Sequence, residues 1–145
     1  MRGIEAKARR LGVERSAMYE TAGGAVAQAA SALAELRDEA HENHESGAVF
    51  ILIGAERSAA IAAVAASSLA NTGRRVVVAL CSARLRPEDR DAAALWDRLA
   101  SHKHAERYRI PDTREAAHFR AGLESVAVVI EALGGATLPA RGPIA

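Results

Sequence analysis

The chain has 145 residues, 50% hydrophobic but only 3% aromatic, and its 19 basic and 18 acidic side chains leave a formal net charge of +1. That length buries one ordinary core, and with roughly a quarter of the positions alanine the core must come from close helix-on-sheet packing. The composition excludes a collagen, a coiled-coil rod, a membrane protein and a disulfide-stapled mini-protein, and the balanced charge argues against a nucleic-acid partner.

The first residues, Met1-Arg2-Gly3-Ile4-Glu5-Ala6-Lys7, contain no apolar leader, and the lone Cys81 has no partner within the chain. The expected location is therefore the cytoplasm. Ile4, Ala8 and Leu11 lie at helical spacing with Gly12 as a stop, and a longer helical pattern runs from about Ser16 to about Ala40. His41–Gly47 is polar and reads as a loop. Ala48–Ile53 is a continuous apolar run, as expected of a strand buried on both faces. The turn Gly54–Ser58 leads into a helix from about Ser58 to Asn71, capped by Gly73.

The alternation then repeats. Arg75–Leu80 is a second β-branched strand. Pro87 suits the first turn of a helix reaching about Ser101, with Glu88 and Asp89 favouring that end. Arg107–Ile110 is a short third strand. Asp112 with Glu115 predicts a capping box and a helix ending at Gly122. Ser125–Ile130 is a fourth strand, and the chain from Gly134 to Ala145 is loop-like. One domain over residues 1–145 follows, with a helical segment at about 1–41, a βαβ core at about 48–133 and a C-terminal loop at 134–145.

Strands alternating with helices predict right-handed crossovers and an α/β fold, a Rossmann-like three-layer α/β/α with a central, mostly parallel sheet. With a strand order of 3-2-1-4 the topological switch falls between the first and fourth strands. Any small-molecule site then lies where Gly54–Ser58 faces Glu131–Ala136.

Four stretches resemble the YjeF N-terminal domain, the NAD(P)H-hydrate epimerase family. Glu20-Thr21-Ala22-Gly23-Gly24-Ala25-Val26-Ala27 is similar to that family's E-N-A-G-x-A-V-A. Gly54-Ala55-Glu56-Arg57-Ser58-Ala59-Ala60-Ile61 stands at its G-P-G-N-N-G-G-D. Glu131-Ala132-Leu133-Gly134-Gly135 stands at its D-A-L-F-G, and Arg141-Gly142-Pro143-Ile144 resembles its R-G-P-I/V. The resemblance implies a site for a hydrated nicotinamide nucleotide at Gly54, Glu56, Arg57, Ser58, Gly134 and Gly135. It also implies a potassium ion near Glu131 and Ser58, and epimerisation at the nicotinamide C6.

Against that pattern, the N-N-G-G-D positions read Arg57, Ser58, Ala59, Ala60 and Ile61. Two glycines have gained methyls and a carboxylate has become a hydrocarbon. The expectation is impaired or absent catalysis with at most nucleotide or phosphate binding. A non-catalytic dimerising module and an epimerase completed by a further segment or partner chain remain alternatives. The family continues beyond R-G-P-I, so Ser125–Ile130 is expected to be an edge strand covered by a second copy in a homodimer, or the chain to be a fragment.

The turn Gly54–Ser58 also resembles, more loosely, the G-x-G-x-S turn of sugar-phosphate isomerase domains, with Ser58 as the matching residue. His41 and His44 beside Glu42 and Glu45 have the spacing of a surface metal clip, though such residues more often form a solvated helix end. Cys81 reads as a small packed side chain, Trp96 and Leu99 as core or interface, and His102 and His104 as a polar helix end. Arg84, Arg86 and Arg90 form a basic cluster without the aromatics that nucleic-acid binding needs.

Overall fold

The continuous β-branched runs become the centre of a sheet because a strand apolar on both faces has nowhere else to go. The structure is a computed structural model, and it describes residues 2–41, 46–119 and 125–134. Helix α1 (Arg2–Ala40) precedes strand β1 (Ala48–Ile53), helix α2 (Ser58–Asn71) and strand β2 (Val76–Leu80). Helix α3 (Arg90–Arg98) runs into a 3-10 turn at Leu99–Ser101; strand β3 (Ala105–Arg109), helix α4 (Thr113–His118) and strand β4 (Val126–Ala132) follow. The strands lie in the order β3-β2-β1-β4, all parallel. This is the expected three-layer α/β architecture, and no described helix is long and apolar enough to cross a membrane.

One face of the sheet carries Val49, Ile51, Ile53, Val76, Val78 and Leu80 into a single core with the alanines of α2, Trp96 and Leu99. Helix α1 joins this layer through Tyr19, Gly23, Ala27, Ala30 and Ala34, all buried at helical spacing. On the other face Phe119, just beyond α4, stacks on Phe50 at 5.7 Å and meets Tyr108 edge-on at 5.5 Å. Strand β4 forms one border of the sheet, and Val129 on it is 58% exposed.

Four local expectations are corrected. Gly12 does not divide α1, because a mid-helix glycine costs about 1 kcal/mol without forcing a stop. Gly73, with φ +92°, does follow the end of α2. Helix α3 begins after Pro87 and Glu88, since Asp89 is the residue that caps it, accepting from the Ala92 N–H at 3.0 Å. Asp112 caps α4 as expected through the Glu115 N–H at 2.8 Å, but that helix ends at His118 rather than Gly122, which lies outside the described residues. Strand β4 extends two residues beyond Ile130, so Glu131 sits within it; a carboxylate on a border strand reaches water and does not stop the pairing.

Asp38, near the end of α1, ties three elements together. It accepts from the Gly47 N–H at 2.9 Å and pairs with Arg74 at 3.1 Å and Arg37 at 3.4 Å. Burial alone would raise its pKa, but the Gly47 N–H, Arg74 and Arg37 together outweigh that and hold it below the ordinary carboxylate value. The linked stability is present above the unfolded-state pKa of about 3.9 and is lost as pH falls through the lower folded value. Asp38→Asn is therefore expected to cost about 2 kcal/mol at neutral pH. Urea unfolding measured from pH 7 down to pH 3 should show this gap to the wild type closing below about pH 4.

Candidate functional site

Where the strand order reverses, the exits of β1 and β4 converge. The Gly54 N–H donates to the Ala132 carbonyl at 3.1 Å, and the Ser58 hydroxyl donates to the Gly134 carbonyl at 2.7 Å. Gly54 is required by this approach: a Cβ there would lie 2.8 Å from the Leu133 carbonyl oxygen. From the other side, the Asp89 N–H donates to the Ala55 carbonyl at 3.0 Å, fixing the turn against the start of α3.

Beside this junction opens a cavity of about 440 Å³ between α1, α2 and the border of β4. Val26, Ile61, Ala62, Ile130 and Leu133 make its wall apolar, and Ser58 and Glu131 border it. Of these, Val26 belongs to the Glu20–Ala27 stretch and Ile61 and Ala62 to the α2 apolar run. Sequence reading missed their convergence because it depends on how α1 crosses α2.

The anticipated binding residues are only partly brought together. Gly54, Ser58 and Gly134 meet directly, whereas Glu56 and Arg57 are exposed. Arg57 lies within electrostatic reach of Tyr19 on α1. No ion pair joins Arg57 to Glu131 among the described residues. The alternation of β4 turns Ile130 and Ala132 toward the core and Glu131 toward the opposite face, in register with Leu52. Gly135 and the Arg141–Ala145 stretch lie outside the described residues, as do Glu42, His44 and Glu45.

At the start of α2 the backbone closes on itself. The Ala59 N–H donates to the Glu56 carbonyl at 3.0 Å and the Ala60 N–H to the Arg57 carbonyl at 2.9 Å. The methyls of Ala59 and Ala60 are fully buried, occupying the space that glycines would leave open. Arg57, at the cap position, makes no side-chain capping bond.

A second polar cluster was not anticipated. Asp91 accepts from the Tyr19 hydroxyl at 3.2 Å and from Arg15 at 3.3 Å, joining α1 to α3. Burial first, then the adjacent Asp91 carboxylate, push the Tyr19 phenol above its ordinary pKa. Burial likewise raises the Cys81 thiol, which therefore stays protonated at neutral pH. Trp96 and Leu99 are core, and Arg107 lies 5.1 Å from the Trp96 ring centre. The basic cluster is partly neutralised: Arg84 pairs with Glu88 and Arg86 with Asp97, each at 2.6 Å. Among the described residues no three His, Cys, Asp or Glu side chains are grouped to hold a metal.

A family model described as "YjeF-related protein N-terminus" matches residues 15–144. No curated protein matches the chain, and neither does any solved structure.

Proposed function

The chain belongs to the YjeF N-terminal family, and from that membership we propose that it keeps the scaffold without the epimerase chemistry, leaving at most weak nucleotide or phosphate binding at the β1–α2 turn. The observation that carries this reading is how the turn spends its polar groups. A phosphate at a helix start needs N–H groups pointing outward. Here two of them, on Ala59 and Ala60, are bonded to the preceding carbonyls, and the Ser58 hydroxyl is given to Gly134.

Proton transfer at the nicotinamide C6 needs an acid or base within hydrogen-bond reach of the ring. Glu131 is the one acidic residue bordering the cavity among the described residues, and it springs from the face of β4 turned away from α2. Ser58 and Glu131 thus fail to aim their oxygens at one point, which argues against a shared potassium ion.

The test offers each epimer of hydrated NADPH separately to the purified chain and follows interconversion by chromatography. Interconversion no faster than the spontaneous rate is expected. Turnover that disappears in Glu131→Gln would overturn the proposal. In parallel, ADP-ribose titrated to millimolar concentration should shift only backbone amides at Gly54–Ser58. Half-saturation is expected no tighter than about 1 mM, equivalent to about −4 kcal/mol.

A further inference from the structure

Helix α1 is 39 residues long, yet its buried apolar stripe runs only from Tyr19 to Ala34, with polar ties to the domain at Arg15, Arg37 and Asp38. On its far side a second apolar stripe recurs in alternating steps of four and three. It comprises Leu11, Met18, Ala22, Ala25, Ala29, Ala32 and Leu36, interrupted at Arg15. That is the spacing of a two-helix seam sustained over nearly four heptads. Leu11 is 46%, Met18 47% and Leu36 64% exposed, with Leu33 beside them at 57%. Ala25, Ala29 and Ala32 are exposed as well, so among the described residues nothing covers this face.

The charges along α1 say what does cover it. From Arg2 to Tyr19 there are five basic residues against two acidic; from Glu20 to Ala40 there is one basic against four acidic. A basic start and an acidic end are each unfavourable to the dipole of an isolated helix. Laid antiparallel against itself, the same helix sets each basic end beside an acidic one, whereas a parallel pair would set like against like.

We infer that α1 is the self-association surface of the protein, pairing antiparallel with the α1 of a second copy. The alanines cross at the centre, where small side chains let the helices approach closely. Leu11 of one copy comes level with Leu36 of the other, about 38 Å along the seam. The arm before Ser16 then gains a neighbour for Leu11 that its own domain does not supply. This interface is separate from the open border of β4 and does not depend on the reading of the nucleotide site.

Sedimentation of the full chain with Cys81→Ala tests it. A dimer is expected, with Ala25→Glu weakening association at least tenfold while Val129→Lys, on the β4 border, leaves it unchanged. Ala25 is exposed, so its replacement spares the fold, which circular dichroism checks. A spin label on Arg10→Cys reads the orientation: labels about 40 Å apart mean antiparallel helices and about 10 Å parallel ones. A monomer at 100 μM, a dimer lost in Val129→Lys but kept in Ala25→Glu, or the short label distance would each overturn the inference.

Discussion

Gly23→Leu is expected to lower stability by about 3 kcal/mol, the upper range for overpacking a close contact. Gly23 lies where α1 rests on α2. A Cβ added there would fall 2.5 Å from Val64 Cγ1, 2.6 Å from Val64 Cβ and 2.9 Å from the Ile61 carbonyl oxygen. Two of those atoms cannot swing aside, so the helices must separate and the alanines beneath them lose contact. The melting temperature should drop by about 10 °C. Gly24→Ala is the matched control, because a Cβ there meets nothing within 4 Å. It removes a glycine from a helix interior and should gain about 0.5–1 kcal/mol. Urea unfolding of the three proteins checks both signs; equal stability of Gly23→Leu and the wild type would refute the close approach.

Gly54→Val should act more locally and still cost about 2 kcal/mol. The new side chain would start 2.8 Å from the Leu133 carbonyl oxygen and 3.4 Å from the Leu133 carbonyl carbon and Cα, all backbone atoms. Relief requires the exit of β4 to move, breaking the bonds from Gly54 to Ala132 and from Ser58 to Gly134. Hydrogen exchange is the informative measurement. Amides of β2, buried along its whole length, should speed up by about 30-fold at most, the equivalent of about 2 kcal/mol, while those of β4 should exchange at least tenfold faster again. Unchanged protection in β4 would show that the two turns are not locked together.

Much of this architecture was readable from residue pattern. Ala48–Ile53 and Ser58–Asn71 have the anticipated limits because a β-branched run and a helix closed by a positive-φ glycine are both local signals. The β3-β2-β1-β4 order is the one supposed for the sequence, although crossover handedness alone does not select it. Other features depend on partners distant in the chain. Gly12 looked like a stop because its helical neighbours on both sides could not be weighed against its own small cost. Helix α4 ends where Phe119 turns away to meet Phe50 and Tyr108, and no local residue announces that.

The site divides the same way. Its place at the switch between β1 and β4 was legible, as was the loss of the glycine pair at Ala59 and Ala60. That Ser58 would give its hydroxyl to Gly134, and that Val26 would wall the cavity, required the third dimension. Glu131 looked like a strand terminus because charge ordinarily ends an apolar run. On a border strand one row faces solvent, and the pairing continues through it.

The pairing of β1 carries a kinetic consequence. Val49 finds Val76 across a single helix, but it finds Val128 only after α2, β2, α3, β3 and α4 have been made. Closing that larger loop is slow and comes late, so a nascent chain emerging from the ribosome assembles β1, α2 and β2 first. Until residues 126–132 appear, one flank of β1 waits with its amides open, and that interval is when a chaperone has most to do.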